Sequence, residues 1–213
     1  MRYLYLHGLA SGPSSSKGRY FAQLLQDLGQ ELSCPDLNWP EFQTMTLTSQ
    51  LQRVQQELGQ DPGPVTLLGS SLGGLVAVLT AIQDSRIVRL CLMAPALGFL
   101  ASWSEQLGPV ILTQWQQTGY LPLYHYAYQR QMELGYAIIP DSAQYNEEKL
   151  TRPLPILIFH GRRDAVVSFA VSSQFAKTRP WVQLELLESD HQLTDVLAYL
   201  GSTFVQWLDS SPV

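Results

Sequence analysis

Few cysteines, few histidines and few basic residues narrow the function of this 213-residue chain before any motif is considered. Its two cysteines, Cys34 and Cys91, sit at or in strand-like runs with neither C-x-x-C nor zinc-site spacing, so they are expected to be buried free thiols in a reducing compartment. Thirteen Lys and Arg against 18 Asp and Glu leave a formal charge of -5 and a pI near 5.3. That balance offers no basic footprint for nucleic acid or another polyanion. No apolar run approaches the length of a membrane span. A strand-like run starts at Arg2 with no charged and then apolar leader before it, so the expected location is the cytoplasm. No H-E-x-x-H motif or carboxylate cluster points to a metal, and no cofactor is expected. The loop Gly12-Pro13-Ser14-Ser15-Ser16-Lys17-Gly18 has its lysine before the glycine, not after it, which excludes a phosphate-binding loop. Its serines are expected to cap the next helix, the alternative being that Lys17 or Arg19 meets an anionic group of a substrate.

What the chain does contain is Gly69-Ser70-Ser71-Leu72-Gly73, set between an apolar strand-like run, Val65-Thr66-Leu67-Leu68, and a helix-like run, Leu75-Val76-Ala77-Val78-Leu79. This is the context of a nucleophile elbow. Glycines let the strand turn sharply into the helix, and the strained serine between them presents its Oγ outward. Ser71 is the candidate nucleophile. A G-x-S-x-G pentapeptide arises by chance in roughly one chain in ten of this size, so the remaining residues must carry the assignment.

Chain order supplies the test, because this arrangement runs nucleophile, acid, histidine, each from a loop after a different strand. Of His7, His125, His160 and His191, only His191 follows both Ser71 and a plausible acid, at the end of the alternating run Leu184-Glu185-Leu186-Leu187. His191 is the candidate base. The preceding strand, Pro155-Ile156-Leu157-Ile158-Phe159, ends in His160-Gly161-Arg162-Arg163-Asp164, which makes Asp164 the first choice of acid. Asp190 and Asp195 are its rivals. Neighbours in extended chain point to opposite faces, which disfavours Asp190, and Asp195 falls in the following helix. His7 and His160 each precede a glycine at a strand end and read as packing or hydrogen-bonding residues; His125 reads as a surface or packing histidine.

An oxyanion hole would complete the site. Arg2-Tyr3-Leu4-Tyr5-Leu6 reads as a strand running into His7-Gly8-Leu9-Ala10, where the backbone N–H of Leu9 is the preferred donor, with the amide of Leu72 as the second. Taken with Ser11-Gly12-Pro13, Gly74 and Ser189-Asp190-His191, these motifs resemble those of α/β-hydrolases, and more narrowly the short bacterial YqiA-type esterases. The resemblance spreads over almost the whole chain. It implies a serine hydrolase acting on acyl esters or thioesters, although fold alone does not determine the substrate.

The length and the 46% apolar content suit one α/β-hydrolase domain over residues 1–213. Strand and helix patterns alternate, with a helix around Tyr20 to Leu28, a strand around Glu31 to Cys34, a polar helix from about Thr48 to Leu58 and a strand over Val88 to Met93. That rhythm predicts a sheet of roughly six mainly parallel strands flanked by helices. It breaks between about 94 and 152, a segment rich in aromatics that is expected to form a mostly helical cap over the site. Trp103, Trp115, Tyr120 and Tyr124 are its candidate substrate-binding residues, against the alternative that they pack the cap onto the body. The leading function is hydrolysis of a small-molecule carboxylic ester or thioester through an acyl-enzyme. A lyase using the same residues for proton abstraction, and a non-catalytic binding protein of this fold, are the other two readings.

Overall fold

A computed structural model describes residues 1–210. Six strands form one sheet: β1 (Arg2–Leu6), β2 (Leu32–Ser33), β3 (Val65–Ser70), β4 (Ile87–Met93), and the two later strands Ile156–Gly161 and Val182–Leu187, numbered β7 and β8 after a separate hairpin. Their order is β2-β1-β3-β4-β7-β8 and every pairing is parallel. This agrees with the expected α/β-hydrolase sheet. The strands read as unbroken apolar runs because both faces are covered. On one face Leu4, Leu67, Leu92 and Ile158 pack under α2 (Leu47–Leu58) and α3 (Leu72–Gln83). On the other, Tyr5, Leu68, Cys91 and Phe159 pack under α1 (Ser16–Asp27) and α7 (Leu197–Ser210). Cys34 and Cys91 are both free thiols.

Local signals place the helices. Ser15 caps α1 by accepting the Gly18 N–H, as the serine-rich loop led one to expect. Thr46 and Ser49 cap α2 reciprocally, and the helix begins one residue earlier than its periodicity suggested. Helix α3 is apolar nearly all round because it is buried nearly all round.

The elbow glycines act through space. A Cβ on Gly73 would lie 2.1 Å from the Leu6 carbonyl oxygen, and one on Gly69 would lie 2.6 Å from the Gly73 carbonyl oxygen. The start of α3 can therefore press against the end of β1 only without side chains there. Gly73→Ala is expected to destabilise the fold by about 3 kcal/mol or more, since the clash is with backbone that cannot rotate away. Urea denaturation of the purified variant checks this.

The segment between β4 and β7 holds more helix than strand, in line with the expected cap, but adds a hairpin that the sequence pattern did not suggest. It opens with α4 (Phe99–Thr118), which breaks at Gly108 and Pro109. It then forms an antiparallel hairpin, β5 (Tyr120–His125) with β6 (Arg130–Gly135), followed by a short α5 (Ile138–Ser142) and a 3-10 turn at Glu147–Lys149. The run Tyr120-Leu121-Pro122-Leu123-Tyr124 alternates between exposed and half-buried, which is a strand's period; only two strands pair, so Pro122 breaks no interior ladder. The hairpin is tied down by the Tyr126 N–H donating to the Ala10 carbonyl and by the Gly135 N–H donating to the Gln43 carbonyl. After β7, α6 (Phe169–Lys177) returns the chain to β8. No helix among the described residues is long and apolar enough to cross a membrane.

Candidate active site

Ser71 stands between the last residue of β3 and the first of α3, with φ 52° and ψ -120°. A non-glycine residue occupies positive φ only at a cost, and here the surrounding backbone holds it: the Ser71 N–H donates to the Met93 carbonyl, and the Ser71 carbonyl accepts from Ala96. The strained serine is thus aimed at the C-terminal edge of the sheet. His191, in the loop after β8, lies with Nε2 3.1 Å from Ser71 Oγ. Its Nδ1 is 2.7 Å from Oδ2 of Asp164, in the loop after β7. The structure brings all three together from positions far apart in the chain.

Asp164 has no exposed side-chain surface, whereas His191 is 18% exposed. Burial opposes ionisation of Asp164, but hydrogen bonds from His160, His191 and the Val167 amide outweigh it and hold the carboxyl well below its ordinary value. Oδ1 accepts the N–H groups of Val166 and Val167, each at 2.8 Å, while Oδ2 faces both imidazoles. His160 Nε2 lies 3.2 Å from Oδ2 and 2.9 Å from the Val167 carbonyl, so that nitrogen carries the proton. Nδ1 then accepts from the Ser172 hydroxyl at 2.8 Å. His160, read from sequence as a packing or hydrogen-bonding residue, is therefore a direct hydrogen-bond partner of Asp164. Its place at i-4, on the strand end that carries the acid, was the available signal.

The rival acids are engaged elsewhere. Asp190 Oδ1 accepts from the backbone of Gln192 and Leu193, and Asp195 accepts from the Ser189 hydroxyl.

The end of β1 lies against the serine: a Cβ on Gly8 would stand 3.1 Å from Ser71 Cβ. His7, buried beneath this loop, accepts the Leu37 N–H on Nε2, so its proton sits on Nδ1 and donates to the Gly8 carbonyl at 2.9 Å. The Gly8 carbonyl and the Leu9 N–H share one planar peptide, so holding the first orients the second. The Leu72 N–H is among the first of α3 and has no partner within the helix.

Ser71, His191, Leu9 and Leu72 all line a cavity of about 780 Å³. The segment between β4 and β7 lends it the apolar and aromatic side chains Phe99, Trp103, Leu123 and Tyr124 beside the polar Ser102 and Gln106, and the loop and helix after β1 lend it Ser15, Lys17 and Arg19. Of the four aromatics singled out from sequence, Trp103 and Tyr124 are in the wall and the other two are not. Trp115 is 1% exposed, packs between the Trp103 and Tyr136 rings, and donates from Nε1 to the Leu134 carbonyl, which joins α4 to the hairpin. Tyr120 is 46% exposed and does not line the cavity. Aromatic composition could not separate these cases: Tyr120 and Tyr124 share a face of β5 and differ in their place along it, and Trp103 and Trp115 stand on either side of the break in α4. His125 is wholly buried, edge-on to Phe42 and stacked on Tyr128. Among the described residues no cluster of three or more His, Cys, Asp or Glu is arranged to hold a metal ion.

The model of the uncharacterised protein family UPF0227 matches residues 2–205. The chain belongs to that family. No curated protein sequence matches this UPF0227 chain significantly. Solved structures share its fold. Mouse alpha/beta hydrolase domain-containing protein 10 is 22% identical with a TM-score of 0.80, over 98% of this chain and 89% of its own. Est1E from Butyrivibrio proteoclasticus, in a structure with ferulic acid bound, is 18% identical with a TM-score of 0.76, over 98% and 88%. An esterase from Pyrococcus furiosus is 15% identical with a TM-score of 0.73, over 99% and 82%.

Proposed function

We propose that the protein is a serine hydrolase that cleaves carboxylic esters, and by the same chemistry thioesters, through an acyl-enzyme. One observation carries the reading: a strained serine, an imidazole and a buried carboxylate form a continuous hydrogen-bonded chain, and the serine and imidazole stand at the wall of a cavity of mixed polar and apolar lining.

His191 Nε2 takes the Ser71 proton as Oγ attacks the carbonyl carbon, and Asp164 stabilises the imidazolium through the Nδ1 proton. Negative charge gathers on the carbonyl oxygen, where the Leu9 and Leu72 amides are the donors. Collapse of the tetrahedral intermediate expels the alcohol or thiol, which receives the proton from His191. Water, activated by the same imidazole, then releases the acid and restores Ser71. The esterase names among the structural neighbours support this reading at the level of fold.

Labelling with a fluorophosphonate, followed by hydrolysis of p-nitrophenyl esters of increasing chain length, tests it. The parent is expected to label at Ser71 and to hydrolyse esters. A lyase built on the same residues would turn over no ester and would form no acyl-enzyme.

Chain-length preference belongs to the cap wall. Trp103→Ala or Tyr124→Ala is expected to shift the ratio of octanoate to acetate turnover by about ten-fold, the worth of one or two methylene contacts. Trp115→Ala is expected to act differently, costing about 3–5 kcal/mol of stability because it empties a buried site and removes the indole's hydrogen bond to the Leu134 carbonyl. Unchanged ester ratios in both wall variants, with folding intact, would remove those rings from the substrate site.

A further inference from the structure

We propose that Lys17 is a positioning residue for His191: its buried ammonium grips the carbonyl of Gln192 and so fixes the loop that aims the imidazole at Ser71. This rests on the roles assigned to Ser71 and His191 above.

Lys17 lies in the first turn of α1 and is 8% exposed. Its Nζ donates to the Gln192 carbonyl oxygen at 2.6 Å, joining residues 175 positions apart. An ammonium leaves water at a cost, so a lysine buried here needs compensation. It finds that carbonyl together with the negative fields of Asp190 and Asp164. Burial still prevails and pushes the amine down to about 8.

The bond holds one particular peptide group. The Gln192 carbonyl and the Leu193 N–H belong to the same planar unit and point in opposite directions. Lys17 takes the carbonyl, while Asp190 Oδ1 takes the Leu193 N–H at 3.3 Å and the Gln192 N–H at 2.8 Å. Leu193 is wholly buried at φ 55°, a conformation a leucine adopts only when its surroundings impose it. A strained turn directly after His191 is therefore gripped at both ends by opposite charges. The imidazole it carries spans two hydrogen bonds of 2.7 and 3.1 Å, and small displacements at such a junction cost rate steeply.

The charges that act on Lys17 are Asp190 of that loop and Asp164 in the loop after β7, with His160 against it; His191 and Tyr5 line the same cavity as Lys17, and the Tyr5 hydroxyl accepts from Ser15. Arg19 follows in α1, donating to the Ser14 carbonyl. Burial pushes Tyr5 up to about 12, and Asp164 is held far below neutrality, so Lys17 is the shifted group here that changes charge just above neutral pH. With the proton gone, a charge-assisted bond becomes an ordinary one of roughly half the strength, and Asp190 loses its counter-charge.

The test is the rate at which a fluorophosphonate labels Ser71 in the whole protein as pH is raised, a readout that assumes nothing about the natural substrate. The parent is expected to label more slowly once pH passes about 8. Lys17→Met should label about ten-fold more slowly at neutral pH and lack that alkaline fall, with the loss of ester turnover in kcat and KM changed by less than about two-fold. Lys17→Arg, charged throughout, should recover part of the rate and move the fall to higher pH. Parental labelling rates in Lys17→Met, or an alkaline fall in the same place in Lys17→Arg, would overturn the proposal. If Lys17→Met does not fold, the Lys17→Arg profile decides alone. A parent that does not label at all refutes the nucleophile assignment itself, and the role of Lys17 falls with it.

Discussion

Ser71→Ala is expected to fold as the parent does and to lose about three or more orders of magnitude in ester turnover. The hydroxyl's hydrogen bond is to His191, and its removal leaves the Ser71 backbone bonds to Met93 and Ala96 intact. Alanine inherits the positive φ that serine already tolerates, so the elbow keeps its shape. The loss therefore measures nucleophilic chemistry apart from stability, and the residual rate measures what the cavity and the two backbone amides contribute by themselves. Ser70→Ala is the neighbouring control. Ser70 bonds toward the Tyr5 hydroxyl, and its removal should change turnover by less than about ten-fold. Hydrolysis of p-nitrophenyl acetate as fast as the parent's by Ser71→Ala would end the serine-hydrolase reading.

Asp164→Asn is expected to reduce turnover by about three to four orders of magnitude without unfolding the protein. The carboxylate now accepts from two imidazoles and two backbone amides. An amide in its place keeps one carbonyl oxygen; with that oxygen on the two backbone N–H groups, the NH2 group takes the place of Oδ2 and stands against both histidines. Facing that NH2 group, His191 Nδ1 must become an acceptor, the proton moves to Nε2, and that nitrogen can no longer receive the Ser71 proton. His191→Ala should be at least as damaging. Neither change should add much to Ser71→Ala, because the three side chains act as one unit. Asp195→Asn, which disturbs only the Ser189 hydroxyl and an ion pair with Arg163 at 4.0 Å, should be nearly inert. A damaging Asp195→Asn beside an inert Asp164→Asn would move the acid to the later position.

The elbow was legible because two tight steric demands are written in neighbouring positions. Gly69 and Gly73 stand where no Cβ fits, and the apolar runs on either side state which element precedes the serine and which follows it. Asp164 and His191 were legible through chain order, since each parallel strand delivers its following loop to the same edge of the sheet. The hairpin was hidden by its setting. The scattered aromatics of this segment suggest a mostly helical cap, and a two-stranded ribbon beside a broken helix leaves only a weak period in the sequence.

The sequence alone determined the fold class, the nucleophile candidate and the order of its partners, because these depend on local steric rules and on patterns that repeat along the chain. Only the tertiary structure decided that His160 shares the Asp164 carboxylate, that Trp115 braces the cap while Trp103 and Tyr124 face the cavity, and that Lys17 reaches the loop of His191. Lys17 and Gln192 are 175 positions apart and Trp115 and Leu134 are 19 apart, while His160 and Asp164 are only four apart but meet through the turn between them. The direction of a buried side chain follows from what closes around it, and its own neighbours in the chain do not encode that.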